Sequence, residues 1–198
     1  MPTEYKNIIG GERRASSSGA TIEVRNPANT DEVIGLAPSS TVEDVRAAVA
    51  AAREAQPKWA ALSGPERGRV LHRAAVLLEG RVDEWAEELT REEGKTRAEA
   101  RAEVLRAVDL FRYFGGEGWR VGGDVLPADT PHTLLYSVRV PLGVVAIITP
   151  WNFPLAIPVW KMAPALVTGN TVVFKPASAT PLMGIRLGEL LLEAGLPP

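Results

Sequence analysis

Two short β-branched runs, Val144 to Ile148 and Thr171 to Phe174, are separated by one segment long enough for a single helix. A strand, a crossover helix and a second strand of this kind form a parallel pair. Each run stops abruptly, the first at Thr149-Pro150-Trp151-Asn152 and the second at Lys175-Pro176-Ala177-Ser178. Ligands of open α/β sheets sit just beyond the carboxyl ends of such strands, so these two stops are the candidate site. A last helix follows, capped by Thr180, opened by Pro181 and closed by Gly195. Two parallel strands can neither cover both faces nor satisfy both edges, and this helix should lead to a third strand. The sequence therefore reads as the first part of a larger α/β protein.

The residues before this unit read as its support. Ile8-Ile9, Thr21 to Val24 and Val33 to Leu36 are β-like and punctuated by Gly10-Gly11, Ser16 to Gly19 and Asn26-Pro27, which predicts small antiparallel hairpins. Thr41 with Asp44 starts an Ala-rich helix that Pro57 is expected to stop. Pro65 opens a second helix up to Gly80, and Arg81 to Glu93 forms a third that ends at Gly94. Thr96 and Glu99 form a capping box for the longest helix, with Ala100, Val104, Ala107, Val108 and Phe111 as its apolar stripe. Gly115-Gly116, Gly118 and Gly122-Gly123 are expected to end it, and Leu134 to Val140 alternates as a half-exposed strand does.

Composition narrows the function. Hydrophobic residues make up 45% and charged residues 23% of 198 residues, an ordinary globular mix. The net charge of −2, with no block of like charge, argues against nucleic acid or anionic membrane as partner. No apolar run approaches the roughly 20 residues of a membrane helix, and the first residues lack the apolar core of a signal peptide, so a cytoplasmic location is expected. There is no cysteine, which excludes disulfides and thiol nucleophiles within these residues. His72 and His132 have no second ligand at metal spacing, so no metal site is expected. No G-x-G-x-x-G follows a strand.

At the strand ends the residue types leave alternatives open. Asn152, between Pro150 and Pro154, is either a turn-forming amide or a fixed donor to an oxygen that gains negative charge beside a helix N-terminus. Lys175 is either a solvated strand terminus or a contact to ribose or phosphate. Trp151, Phe153 and Trp160 either wall a pocket or belong to the core. Glu99 and Glu103, ringed by Arg97, Arg101 and Arg106, read as a solvated, ion-paired face and not as an acid/base pair.

Val140-Pro-Leu-Gly-Val-Val-Ala-Ile-Ile-Thr-Pro-Trp-Asn-Phe-Pro154, Trp160-Lys161, Pro164-Ala-Leu, Gly169-Asn-Thr-Val-Val-Phe-Lys-Pro-Ala-Ser178 and Thr180-Pro181 closely resemble the aldehyde dehydrogenase superfamily. Glu193-Ala-Gly-Leu-Pro197, Asn26-Pro27 and Glu93-Gly-Lys95 are also typical of it. The resemblance covers essentially the whole chain and implies an α/β fold. Residues 1–120 would be hairpins and helices of the cofactor domain, 121–140 part of an oligomerisation hairpin, and 141–198 the first half of a Rossmann-like unit. Succinate-semialdehyde-type members are the nearest in kind.

The resemblance also implies a chemistry, in which a cysteine thiolate attacks an aldehyde, hydride passes to NAD or NADP, and water releases a carboxylic acid. Asn152 matches the side-chain donor of the oxyanion hole. Ile148, Thr149, Pro150, Trp151 and Asn152 match positions along the cofactor. So do Lys175, Pro176, Ala177 and Ser178, with Lys175 holding the adenosine ribose. Phe153 and Trp160 match aromatics on the substrate side. Many NAD-using members carry glutamate where Ser178 stands. A carboxylate there would repel a 2′-phosphate, whereas a serine hydroxyl can donate to it, so NADP is expected to serve at least as well as NAD. A homo-oligomer is expected of the full-length protein. Because the nucleophilic cysteine is absent, the chain is expected to be inactive alone, as an N-terminal portion of such an enzyme. The other reading is a natural non-catalytic nucleotide-binding or oligomerisation module.

Overall fold

The computed structural model of the chain describes residues 2–198. Two antiparallel hairpins open it: β1 (Asn7–Ile9) with β2 (Glu12–Arg14), and β3 (Thr21–Asn26) with β4 (Asn29–Pro38). Four helices follow: α1 (Val42–Ala61), α2 (Gly64–Glu79), α3 (Val82–Glu93) and α4 (Arg97–Glu117). Then come a small hairpin of β5 (Val125–Leu126) and β6 (Leu135–Tyr136), strand β7 (Val144–Ile148), helix α5 (Ala156–Val167), strand β8 (Thr171–Lys175) and helix α6 (Pro181–Glu193). β7 and β8 are parallel and in register from Val144↔Thr171 to Ile148↔Lys175. The strand–helix–strand unit is thus formed as its periodicity predicts.

One apolar core joins the four-helix layer to this unit. The predicted stripe of α4, Ala100, Val104, Ala107, Val108 and Phe111, is buried in it with Leu71, Leu78, Trp85 and Leu89. Val159, Met162 and Leu166 of α5 and Met183, Leu187 and Leu190 of α6 enter the same cluster. β7 turns Ile147 inward and leaves Ile148 76% exposed; the other face of the two-stranded sheet is covered at the start of β8, where buried Thr171 donates to the Ala52 carbonyl of α1 at 2.8 Å, and is open at the Ile148–Lys175 end.

Local signals decide the helix ends. Thr41, Ser63 and Thr96 each form a capping box, with Asp44, Glu66 and Glu99 as reciprocal partners. Gly94 takes a left-handed φ of 92° at the end of α3, as its position predicts.

Three expectations fail and one holds only in part, each for a reason outside the local sequence. Pro57 does not stop α1, which runs on to Ala61. Trp59, almost fully buried, holds that last turn by donating from Nε1 to the Leu166 carbonyl at 2.9 Å. The glycine cluster does end α4, at Glu117 with Gly118 as its C-cap, but Gly115 and Gly116 lie inside the last turn, and Gly115 and Gly118 lie where α4 meets α2. A Cβ on Gly64 would strike the carbonyl oxygen of Gly118, and one on Gly68 that of Gly115, so these glycines permit backbone-to-backbone packing. Leu134 to Val140 is not one strand: only Leu135–Tyr136 pairs, and the exposed residues around it have no sheet to join. Thr180 makes no side-chain cap for α6.

The cap of α6 comes instead from Glu92 on α3. Its buried carboxylate accepts the N–H of Leu182 at 2.6 Å and of Met183 at 2.8 Å. Burial pushes this carboxyl up to about 7, against the pull of those two N–H groups, which favour the charged form. At the other ends, Arg73 Nε donates to the Ala194 carbonyl and Arg67 Nε to the Val167 carbonyl, so the last carbonyls of α6 and α5 are also met from the helical layer.

Two outcomes follow from this packing. Gly68→Ala should cost on the order of 1–3 kcal/mol despite alanine's better helix propensity, because the clash is with backbone; an unchanged urea midpoint would refute the close crossing. Glu92 binds its proton more tightly folded than unfolded, so its contribution to stability falls as pH rises from about 4.5 to about 7. Urea melts at pH 5 and pH 7 should show the protein losing stability over this interval relative to Glu92→Gln. Parallel pH profiles would contradict the assignment.

Candidate active site

The ladder places Ile148 opposite Lys175, so the two segments singled out from the sequence leave the sheet side by side. Ile148, Pro150, Trp151, Asn152, Lys175 and Ser178 are exposed, Pro176 and Ala177 are half-buried, and Thr149 is buried. Lys175 makes no ion pair among the described residues. An unpaired ammonium and a free serine hydroxyl at a parallel strand's carboxyl end suit ribose hydroxyls or a phosphate. Among the described residues no cluster of three or more His, Asp or Glu could hold a metal ion. No described helix is long and apolar enough to cross a membrane.

The turn carrying Asn152 is built from behind. Glu103 on α4 is not on a solvated face, as its neighbours in sequence suggested: its side chain is fully buried. Oε1 accepts the N–H groups of Leu155 at 2.9 Å and Ala156 at 3.0 Å, where α5 begins. Oε2 accepts Lys95 Nζ at 2.5 Å. The same ammonium donates to the Asn152 carbonyl at 2.9 Å and lies 4.4 Å from the centre of the Phe153 ring. Glu99, by contrast, is taken up in its capping box with Thr96. The Asn152 side-chain amide is left exposed, with no hydrogen bond to the described residues.

Trp151, Phe153 and Trp160 are all exposed, at 55%, 47% and 48%, so none of the three is core. Trp160 lies on α5 with the Arg106 guanidinium of α4 5.4 Å from its ring centre. Phe153 and Trp160 are thus each steadied by a cation from the helical layer and present the rest of their rings outward. Asn170 fixes the other end of the crossover: its Oδ1 accepts the Gly143 N–H at 3.0 Å and its Nδ2 donates to the Ala165 carbonyl at 3.0 Å.

The roles of two residues in this geometry were not read from the sequence: Lys95 stood there only as part of Glu93-Gly-Lys95, and Glu103 only as part of a solvated face. A signal for Glu103 existed: it stands three after Ala100 and four before Ala107, inside the apolar stripe of α4. Glu92 likewise continues the apolar stripe of α3, three after Leu89 and seven after Trp85. A carboxylate inside an apolar stripe must find buried donors. Here the donors are helix N-termini 52 and 90 residues further on.

The sequence profile of the aldehyde dehydrogenase family matches residues 14–198. The chain is 49% identical over 193 residues to an alpha-ketoglutaric semialdehyde dehydrogenase of Bacillus subtilis, covering 98% of this chain and 40% of that protein. It is 51% identical over 197 residues to an alpha-ketoglutarate semialdehyde dehydrogenase of Haloferax volcanii, covering 100% of this chain and 41% of that one. A crystal structure of an NADP-dependent enzyme of E. coli superposes with a TM-score of 0.95 at 39% identity, over 98% of this chain and 40% of that chain. The chain thus spans about two-fifths of the length of the relatives it matches, and it belongs to the aldehyde dehydrogenase family.

Proposed function

We propose that the whole protein oxidises an aldehyde to a carboxylic acid with NADP or NAD, and that this chain supplies its oxyanion donor and the adenosine side of its cofactor site. The observation that carries this reading is the unpartnered Asn152 amide beside the N-terminus of α5, in a turn whose backbone is tied down by Lys95. A donor held in place before charge develops needs no reorganisation when the oxyanion forms, which is where such groups gain their effect. The chain has no cysteine. The thiolate would come from residues outside these 198, and the chain by itself would not turn over. The names of the relatives favour a semialdehyde as substrate. Phe153 and Trp160 would form one aromatic wall of its pocket.

A bound nicotinamide cofactor supplies the hydride acceptor. The backbone from Ile148 to Asn152 would run along it, with Trp151 beside it. Lys175 would donate to the adenosine ribose, and Pro176 and Ala177 would fix the direction in which Ser178 faces it. A serine hydroxyl accommodates a 2′-phosphate that a carboxylate would repel. The exposed 121–140 segment, with Val125, Leu134, Tyr136 and Val138 largely uncovered, would serve as an oligomerisation arm in a homo-oligomer.

In the whole protein Asn152→Ala should lower kcat by about 10²–10³ while leaving cofactor affinity in place; unchanged turnover would remove Asn152 from the mechanism. Ser178→Glu should reduce kcat/KM for NADP at least about tenfold relative to NAD, through one added like charge at short range. Equal effects on both cofactors would place Ser178 away from the 2′-position.

A further inference from the structure

We infer that Lys95 is a positioning residue for the reaction: it holds the backbone of Asn152 so that the side-chain amide stays free to donate. The inference rests on the oxyanion role proposed for Asn152. Asparagines in turns commonly fold their side chains back onto neighbouring backbone groups, which would consume the amide's donors. At Asn152 the carbonyl is already occupied by the Lys95 ammonium at 2.9 Å, and the amide has no internal partner.

The ammonium itself is held on three sides. Glu103 Oε2 lies at 2.5 Å, Glu93 Oε2 at 3.8 Å and the Phe153 ring at 4.4 Å, and the lysine side chain is only 10% exposed. Two carboxylates against one ammonium leave no net positive charge to stabilise an oxyanion directly. The contribution of Lys95 is therefore geometric. The chain of contacts is short: Glu103 fixes the first N–H groups of α5 and the ammonium together, and the ammonium fixes the carbonyl of Asn152 three residues before Leu155. Lys95 sits two residues after the end of α3 and one before the cap of α4, so its own backbone is anchored by both helices. Phe153, stacked on the same ammonium, is positioned with Asn152. The oxyanion donor and the first substrate-side aromatic thus share one support.

The test is a double-mutant cycle in the whole protein. Lys95→Met keeps the length of the side chain and removes the charge and the donor. It should lower kcat about tenfold or more, since small misplacements of a reacting group cost that much, with cofactor Kd unchanged. In the Asn152→Ala background, where no amide remains to be placed, Lys95→Met should change kcat less than twofold, the lost support of Phe153 appearing in the aldehyde KM instead. If Lys95→Met does not fold, Lys95→Gln, which retains a hydrogen-bond donor, enters the same cycle. The same fold-loss in both backgrounds, or no loss in the first, overturns the positioning role while leaving Asn152 in place. Full turnover in Asn152→Ala alone overturns the oxyanion reading itself, and the positioning role with it.

Discussion

Two buried carboxylates of the helical layer, each accepting the first N–H groups of a helix that follows a strand of the parallel pair, are the interaction on which this architecture depends. Glu103 of α4 receives Leu155 and Ala156 at the start of α5, and Glu92 of α3 receives Leu182 and Met183 at the start of α6. A helix begins with unpaired donors and a partial positive charge, so a carboxylate there is stabilised as an anion, although its burial is costly. The two sites differ in their further partners. Glu103 also binds the Lys95 ammonium at 2.5 Å; Glu92 has the first-turn N–H groups alone, and burial outweighs them, pushing its carboxyl up to about 7.

These contacts explain how two strands and two helices can present a site. The turn after β7 leads into α5 and the turn after β8 leads into α6, so whatever fixes those helix starts also fixes the turns. The far ends are fixed too: Trp59 and Arg67 meet the last carbonyls of α5, and Arg73 meets the Ala194 carbonyl. Rigid flanking elements leave the exposed residues between them, Asn152 and Lys175 among them, with few alternative placements. The helices of the first half of the chain thus act as the frame for residues more than 50 positions away.

How much of this could be read from the sequence depended on the range of each interaction. The capping boxes at Thr41 and Thr96, the left-handed Gly94 and the parallel pair at 144–148 and 171–175 rest on neighbours within a few residues, and they stood out. The end of α1 did not, because Pro57 is a local stop signal that the burial of Trp59 outweighs. The glycines near 115 stood out as a helix end, which Gly118 provides, whereas their close approach to Gly64 and Gly68 on another helix did not. Asn152 and Lys175 were visible as residue types at strand ends. What frees the amide of Asn152 was not, since Lys95 and Glu103 meet it only in three dimensions.

Native-state hydrogen exchange at the amides of Leu155, Ala156, Leu182 and Met183 tests the account most directly. First-turn amides of a helix have no intrahelical acceptor and ordinarily exchange early. Bound to buried carboxylates of another layer, these four should exchange as slowly as amides in the middle of α5 and α6. Exchange at the rate of an exposed first turn would show that Glu103 and Glu92 do not hold the helix starts, and the frame described for the site would fail.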